Sequence, residues 1–382
     1  MAKTFHRKTD GSIVVKDGAK IVGNLPGKPR SLNGTPVAAS IPKLPGADKV
    51  DAVAPKRPKA QPSQPFSSEI AAIDENIAFL KDALISDPDA VVLASDLDDI
   101  TVPHSFAPDE ELTLKQALDL YRLEKAIFRE AQTNLALKED KKNGIKLIQS
   151  FGNGKLGEAE KEAFNEPNTK EWLLARTNGI GGSDKLGYVD ESGEFVAYDS
   201  IGKKNYLNSV LADKSPRAIA AIESNEVSTV DEVDQALPLR IGNHLERTIQ
   251  YEFAKNHNEY NHFDDKNTRT AKGRSWHRFN PDGVLQDKAT EEFGIFEAKT
   301  SRDVETFEKA LPGYLSQCLH NASAANLKFA VLVADIEGEK GQFVYRVDFT
   351  DKQLQDYRDT VDRAWLLYKP RYDKREAKGE LG

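Results

Sequence analysis

The sequence predicts a mixed α/β fold, a central sheet flanked by helices, preceded by a helical extension and a basic tail. Three observations predict it. Residues 276–285 and 293–296 read as strands joined by a short polar turn, 286–292, and so form a hairpin. Residues 238–255, 304–322 and 350–369 read as helices. Residues 328–336 and 342–347 are alternating or apolar and read as strands. The resulting order is helix, hairpin, helix, strand, strand, helix, which suits an α/β sandwich.

The elements before this core follow in order. Residues 1–65 are basic and rich in Pro, Gly, Ala and Ser, with about twelve Lys and Arg against about four acids. Such a composition cannot bury a core, so a disordered tail is expected. It is either a tether to DNA or a partner, or simply a solvated segment. Residues 66–150 are expected to form a helical accessory region. Within it, 68–84 place Ile70, Ile73, Ile77, Leu80 and Leu84 at helical spacing, with Ser67 and Ser68 available as caps. The acidic stretch 86–111, centred on Asp96, Asp98 and Asp99, is interrupted by prolines and reads as a solvated loop, with a metal site as the alternative. Residues 113–142 form a long amphipathic helix whose buried stripe is Leu114, Leu118, Tyr121, Ala126, Phe128 and Ala131. Residues 151–382 are expected to hold the α/β domain, entered through a linker over 152–167.

Composition sets outer limits. The chain has 382 residues, a formal charge of −8 and 39% hydrophobic residues, enough for two domains or one with appendages. A single cysteine, Cys318, leaves no internal disulfide and suits a reducing compartment, so a cytoplasmic protein is expected. Cys318 itself reads as a small core residue. No apolar run approaches the ~20 residues of a membrane span. The N-terminus lacks the apolar segment of a secretory signal. There is no P-loop, no internal repeat and no His/Cys set with zinc spacing.

The densest chemistry lies in Asn280-Pro-Asp-Gly-Val284 and Phe296-Glu-Ala-Lys-Thr300. Glu297 and Lys299 are two apart on a strand and project from one face. The hairpin brings Asp282 beside them. Two carboxylates and an ammonium group on one surface suit a Mg²⁺ ion and the phosphodiester it polarises. Mn²⁺ is the alternative ion.

Four further features occur in a fixed order. They are Arg176-Thr-Asn-Gly-Ile-Gly-Gly-Ser-Asp184, Gly242-Asn-His-Leu-Glu246, the hairpin ending in Lys299-Thr-Ser301, and Tyr314-Leu-Ser-Gln317. Together they resemble the YqaJ-type viral recombinases, the group within the PD-(D/E)xK nucleases that includes the exonuclease of phage lambda. The resemblance covers roughly 169–369, about half of the chain, and the ordered set is far more specific than any one motif. It implies a restriction-endonuclease-like core. It also implies that Asp282, Glu297 and the carbonyl of Ala298 bind the metal, with Glu246 as an additional acidic group. Lys299 would orient or deprotonate the attacking water, and Gln317 would help hold that water or Lys299. Arg176 and Ser183 would bind the 5′-phosphate of the digested strand. The implied activity is 5′-to-3′ exonuclease action on linear duplex DNA, exposing 3′ single strands for phage-type recombination in a bacterial host. The implied partners are double-stranded DNA ends, a single-strand-annealing protein and a homotrimer.

Each position also has an ordinary reading. Arg176 could form a surface salt bridge, and the glycines a plain turn, though Gly-Ile-Gly-Gly lets backbone N–H groups approach an anion closely. Glu246 and Gln317 could be solvated helix residues. His277 and His320 are held as structural or DNA-adjacent. Lys203, Lys204 and residues 214–217 are candidate contacts to the DNA backbone or solvated surface. Two other functions compete: an endonuclease of DNA processing or defence, and a DNA-end-binding protein without catalysis.

Overall fold

The buried runs 294–298 and 329–334 lie on adjacent central strands, because only strands covered on both faces can bury such runs. They belong to a computed structural model that describes residues 3–7, 13–17, 20–25, 65–97, 100–101, 106–107, 109–152, 154–161, 169–190, 194–224, 237–265 and 267–380. The chain divides into two units. The first comprises Met1–Lys56, Ile148–Val227 and Asn256–Gly382, and the second Arg57–Leu147 and Ser228–Lys255.

The strands of the first unit that matter here are β1 (Ile148–Ser150), β2 (Tyr260–Asp264), β3 (Arg274–Phe279), β4 (Gly283–Asp287), β5 (Phe293–Ser301), β6 (Phe329–Ile336) and β7 (Phe343–Asp348). All but β3 join one mixed sheet in the order β7-β6-β5-β4-β2-β1. β4 and β5 form the expected antiparallel hairpin, with Gly283 opposite Phe296. β5 and β6 are parallel, with Glu297 opposite Leu332 and Lys299 opposite Ala334. A parallel pair needs a crossover, and helix α2 (Val304–Ala325) supplies it, following α1 (Lys170–Thr177) in the chain. Helix α3 (Asp351–Asp362) packs against α2.

The core lies between this sheet and α2. Phe307, Leu315 and Leu319 of α2 meet Ile295, Ala330 and Leu332 of the sheet, and all six are at most 4% exposed. Cys318 is a buried member of the same cluster. Strand alternation then decides the site: Ile295, Glu297 and Lys299 share one face of β5, and Ile295 packs in the core with α2.

Several expectations needed correction. Residues 276–285 are not one strand. β3 ends at Phe279 and pairs in a different, three-stranded sheet, and β4 starts at Gly283. Pro281 has no N–H for a ladder and fixes its own φ, so the run breaks there. The closing helix does not stop at 369. After α3 the chain makes a π-helical stretch, Arg363–Tyr368, and continues as Lys369–Glu376. Pro370 is tolerated because it falls in the first turn of that last segment. Strands β1 and β2, and helices Lys204–Ala212 and Pro216–Glu223, lacked a strong enough pattern to be read in advance.

The second unit is helical. Its helix Ser67–Ser86 buries Ile73, Ile77 and Leu80, as the spacing predicted, but starts after a left-handed Phe66 rather than on a serine cap. Leu114–Lys142 starts on a capping box between Thr113 and Gln116. Leu237–Asn256, the helix carrying Glu246, also falls here up to Lys255. Thr248 bonds Thr133 at 3.1 Å, Tyr251 donates to Asp140 at 2.9 Å, and Glu252 pairs with Arg129 at 3.1 Å. The helix that sequence assigned to the α/β domain thus falls, up to Lys255, in the same unit as the accessory helices.

Within the basic segment 1–65, where no regular structure was expected, Lys3–Arg7, Ile13–Asp17 and Lys20–Leu25 pair as an antiparallel meander. Residues 26–64 of that tail, and the side chains of Asp96, Asp98 and Asp99, lie outside the described residues.

Candidate active site

Asp282 immediately precedes β4, in line with Val284, so it stands on the face that carries Glu297. Its carboxylate accepts the Ala298 N–H at 2.8 Å, which ties the Pro281–Asp282 bend to β5. Glu297 is fully buried. Its Oε1 accepts from the Lys299 ammonium and, at 2.5 Å, from the Gln317 amide, and its Oε2 accepts from Asn321 at 3.2 Å. Gln317 and Asn321 are four apart on α2 and so share a helix face. The same α2–sheet packing that builds the core thus aims two amides at one carboxylate.

The electrostatics follow from burial. Removal from water, then the nearby Asp282 carboxylate, push the Glu297 carboxyl well above the usual carboxylate range, while Lys299 opposes the shift. Burial would lower Lys299, but the charges of Glu297 and Asp282 outweigh it and hold its ammonium above the ordinary lysine range. Crowded carboxylates of this kind favour a cation.

Arg176, on α1, and Ser183 are also brought together. The guanidinium donates to the Ser183 hydroxyl at 2.9 Å, and both residues are exposed. Trp172, one turn earlier on α1, lies under the guanidinium at 4.5 Å and fixes its plane. The loop between them is stitched to β3: Ile180 donates to the Trp276 carbonyl at 2.7 Å, and Arg278 donates to the Ile180 carbonyl at 3.0 Å. Asp184 closes the turn by accepting the Gly181 N–H at 2.6 Å and pairing with the buried Lys214 at 3.1 Å. Lys214 is therefore a structural cation, not a solvated one.

Gly182 is where this loop meets α2. A Cβ there would lie 2.6 Å from Asn321 Oδ1 and 3.2 Å from Gln317 Cγ. Gly182→Ala is expected to push these amides off Glu297, lowering any cleavage rate about tenfold and stability by about 1–3 kcal/mol. Single-turnover rates and a denaturation midpoint test this, and a wild-type rate would show that the amides do not matter.

Sequence reasoning missed Asn321 and Lys185. Asn321 had one signal, its i+4 relation to Gln317. Lys185 had none beyond following the Gly-Gly-Ser-Asp run. Its ammonium lies 5.4 Å from the Tyr314 ring centroid, and that of Lys299 lies 5.6 Å from the same centroid. Burial, then the Lys299 charge, lower the Lys185 pKa.

His277 and His320 are fully buried and structural. Glu246 is carried by the second unit. Among the described residues, no group of three or more His, Cys, Asp or Glu side chains could hold a metal. The donor set nevertheless fits Mg²⁺, which takes one or two carboxylates and otherwise keeps water and substrate phosphate. Asp282 and Glu297 supply those two, and their mutual repulsion supplies the need for positive charge.

Residues 171–328 match the model of the YqaJ-like viral recombinase domain. The matched span is about two fifths of the chain. The match takes in Arg176, Ser183, Glu246, Asp282, Glu297, Lys299 and Gln317, and ends before β6, short of the 169–369 span of the resemblance. No curated protein matches the sequence. An alkaline exonuclease from Laribacter hongkongensis is 13% identical in each of two crystal structures, one of them in complex with dAMP, with TM-scores of 0.38. They cover 56% of this chain and 98% and 100% of their own. Among the described residues, no helix is long and apolar enough to cross a membrane.

Proposed function

We propose that the protein is a Mg²⁺-dependent exonuclease that digests the 5′-ended strand of linear duplex DNA and leaves 3′ single strands for recombination. The observation that carries this reading is the clustering of Asp282, Glu297 and Lys299 on one sheet face, beside a loop that runs from the exposed Arg176–Ser183 pair to the α2 helix behind Glu297. The match of 171–328 to the YqaJ-like viral recombinase domain supports its association with recombination.

Asp282, Glu297 and the carbonyl of Ala298 would hold the ion, with Mn²⁺ as a substitute. A bound Mg²⁺ neutralises charge developing on the phosphate and makes the attacking water more acidic. The chain's own residues do the rest. Gln317 and Asn321 hold Glu297 in one rotamer through both its oxygens. Lys299 would orient or deprotonate the attacking water, and its ammonium would steady charge on the phosphate. Arg176 offers a planar fork of donors to a terminal 5′-phosphate, and the Ser183 hydroxyl adds another.

The test is digestion of linear duplex bearing 5′-phosphate or 5′-hydroxyl ends, with and without Mg²⁺, while following which strand shortens. The 5′-phosphorylated strand is expected to shorten only with Mg²⁺, and closed circular DNA to survive. Nicking of closed circles would favour the endonuclease reading. Binding of ends with no cleavage under either ion would favour a non-catalytic end-binding protein.

A further inference from the structure

We propose that Lys185 is a phosphate-binding residue of this site, its ammonium meeting a non-bridging oxygen of the phosphodiester held beside Asp282, Glu297 and Lys299. The proposal rests on the nuclease reading above.

Four observations lead to it. First, Lys185 has no hydrogen-bond acceptor and no carboxylate at ion-pair distance among the described residues, although it is half-buried. A half-buried ammonium without an acceptor gives up hydration for nothing unless a ligand supplies the missing oxygen. Second, its ammonium lies over the face of Tyr314, the ring that Lys299 also approaches. Two ammonium groups gathered at one ring repel each other, and an anion near both relieves that repulsion. Third, its backbone is left-handed, φ 47°, a region that a lysine seldom occupies. Strained backbone of this kind persists where the surroundings over-determine it and concentrates at functional sites. Here Asp184, the preceding residue, is held by Gly181, by Lys214 and, through its carbonyl at 2.8 Å, by Tyr206. Fourth, Gly313 leaves room for the lysine. A Cβ at 313 would lie 3.2 Å from the Lys185 Nζ and 3.3 Å from its Cδ.

The position also has a consequence for substrate handling. Lys185 follows directly on Ser183-Asp184, so one rigid turn would carry both the terminal-phosphate contact at Ser183 and the contact at the scissile phosphodiester. The spacing between a DNA end and the bond cut would then be set by this turn.

The experiment uses the full chain and compares Lys185→Met, which keeps the apolar stem against Tyr314, with Lys185→Arg, which keeps the charge. Equilibrium binding to a 5′-phosphorylated duplex is measured by fluorescence anisotropy across a salt series in Ca²⁺, together with single-turnover cleavage in Mg²⁺. Losing one phosphate contact should lower the slope of log K against log salt by about 0.9 and weaken binding at low salt. Lys185→Met is expected to show that slope change and a cleavage rate about tenfold or more below wild type, and Lys185→Arg to recover the slope. A Lys185→Met protein with the wild-type slope and rate would overturn the proposal, as would a loss of rate with an unchanged slope, which marks a merely structural lysine. The two readings fail separately. A wild-type protein that cleaves no DNA refutes the nuclease, whereas the salt slope reports on Lys185 with or without cleavage.

Discussion

Lys299→Ala is expected to leave duplex-end binding largely intact while reducing Mg²⁺-dependent cleavage by at least ~10²–10³-fold, the range found when a preorganised donor to developing charge is removed. The reason lies in how the side chain is held. Its ammonium donates to a fully buried carboxylate, and that carboxylate is fixed from behind by Gln317 and Asn321. Little freedom remains, so the charge stands ready at the reacting phosphate with no reorganisation. Alanine removes the charge and leaves Glu297 buried with only two amide donors, so Glu297 should take up a proton more readily. Asp282→Ala and Glu297→Ala should instead abolish ion binding, which calorimetry with Mg²⁺ or Mn²⁺ separates from a purely catalytic loss. A Lys299→Ala protein that cleaves at near wild-type rate would remove Lys299 from the mechanism.

Acid is expected to unfold the first unit well before its carboxylates are exhausted. His277 and His320 are fully buried, with ring centroids 4.5 Å apart. His320 donates from Nε2 to the Arg278 carbonyl at 2.8 Å, and His277 donates to the His320 carbonyl at 3.3 Å. Neither Nδ1 has a hydrogen-bond partner. Burial is the main force holding both rings neutral: it takes His320 down to about 4, and His277, further depressed by its neighbour His320, goes well below its ordinary value. Because the folded pKa is depressed, the unfolded chain binds more protons between about pH 6.5 and 4. The stabilising contribution is therefore complete above about 6.5 and is lost as pH falls toward 4. For His320 the loss is about 3 kcal/mol, from the usual conversion of a pKa difference to free energy. Denaturant midpoints measured from pH 8 to 4 should fall through this window, and ring signals of both histidines in NMR should stay unprotonated down to about pH 5. Protonated rings at pH 6 in the folded protein would refute this account.

The neighbouring positions show what a sequence can and cannot reveal. The β4–β5 hairpin, the crossover helix α2, the strands β6 and β7 and most of the closing helix were legible, since each has an apolar period or a turn signal spanning its own length. Asp282, Glu297 and Lys299 were legible for the same reason: strand period and a short turn are local, and together they bring the three side chains onto one surface. Gln317 and the Arg176–Ser183 pair were found through the order of motifs, and the fold then puts Gln317 on Glu297 and Arg176 on Ser183. The break at Pro281 was written in the chain but overridden in the reading by the apolar run around it.

Other features depend on contacts between segments far apart in the chain. Asn321 bonds a glutamate 24 residues away, and Gly182 matters because a helix more than a hundred residues later passes against its Cα. Lys185 gains meaning only once Tyr314 and Lys299 surround it. The grouping of the Glu246 helix with the accessory helices rests on Thr133, Asp140 and Arg129, which no local pattern could match to it. Periodicity and turn chemistry act over a few residues and so determined the elements and the acidic hairpin. Burial and charge pairing act through space, so only the packed chain decided which amides grip Glu297, which histidines stay neutral and which lysine is left waiting for an anion.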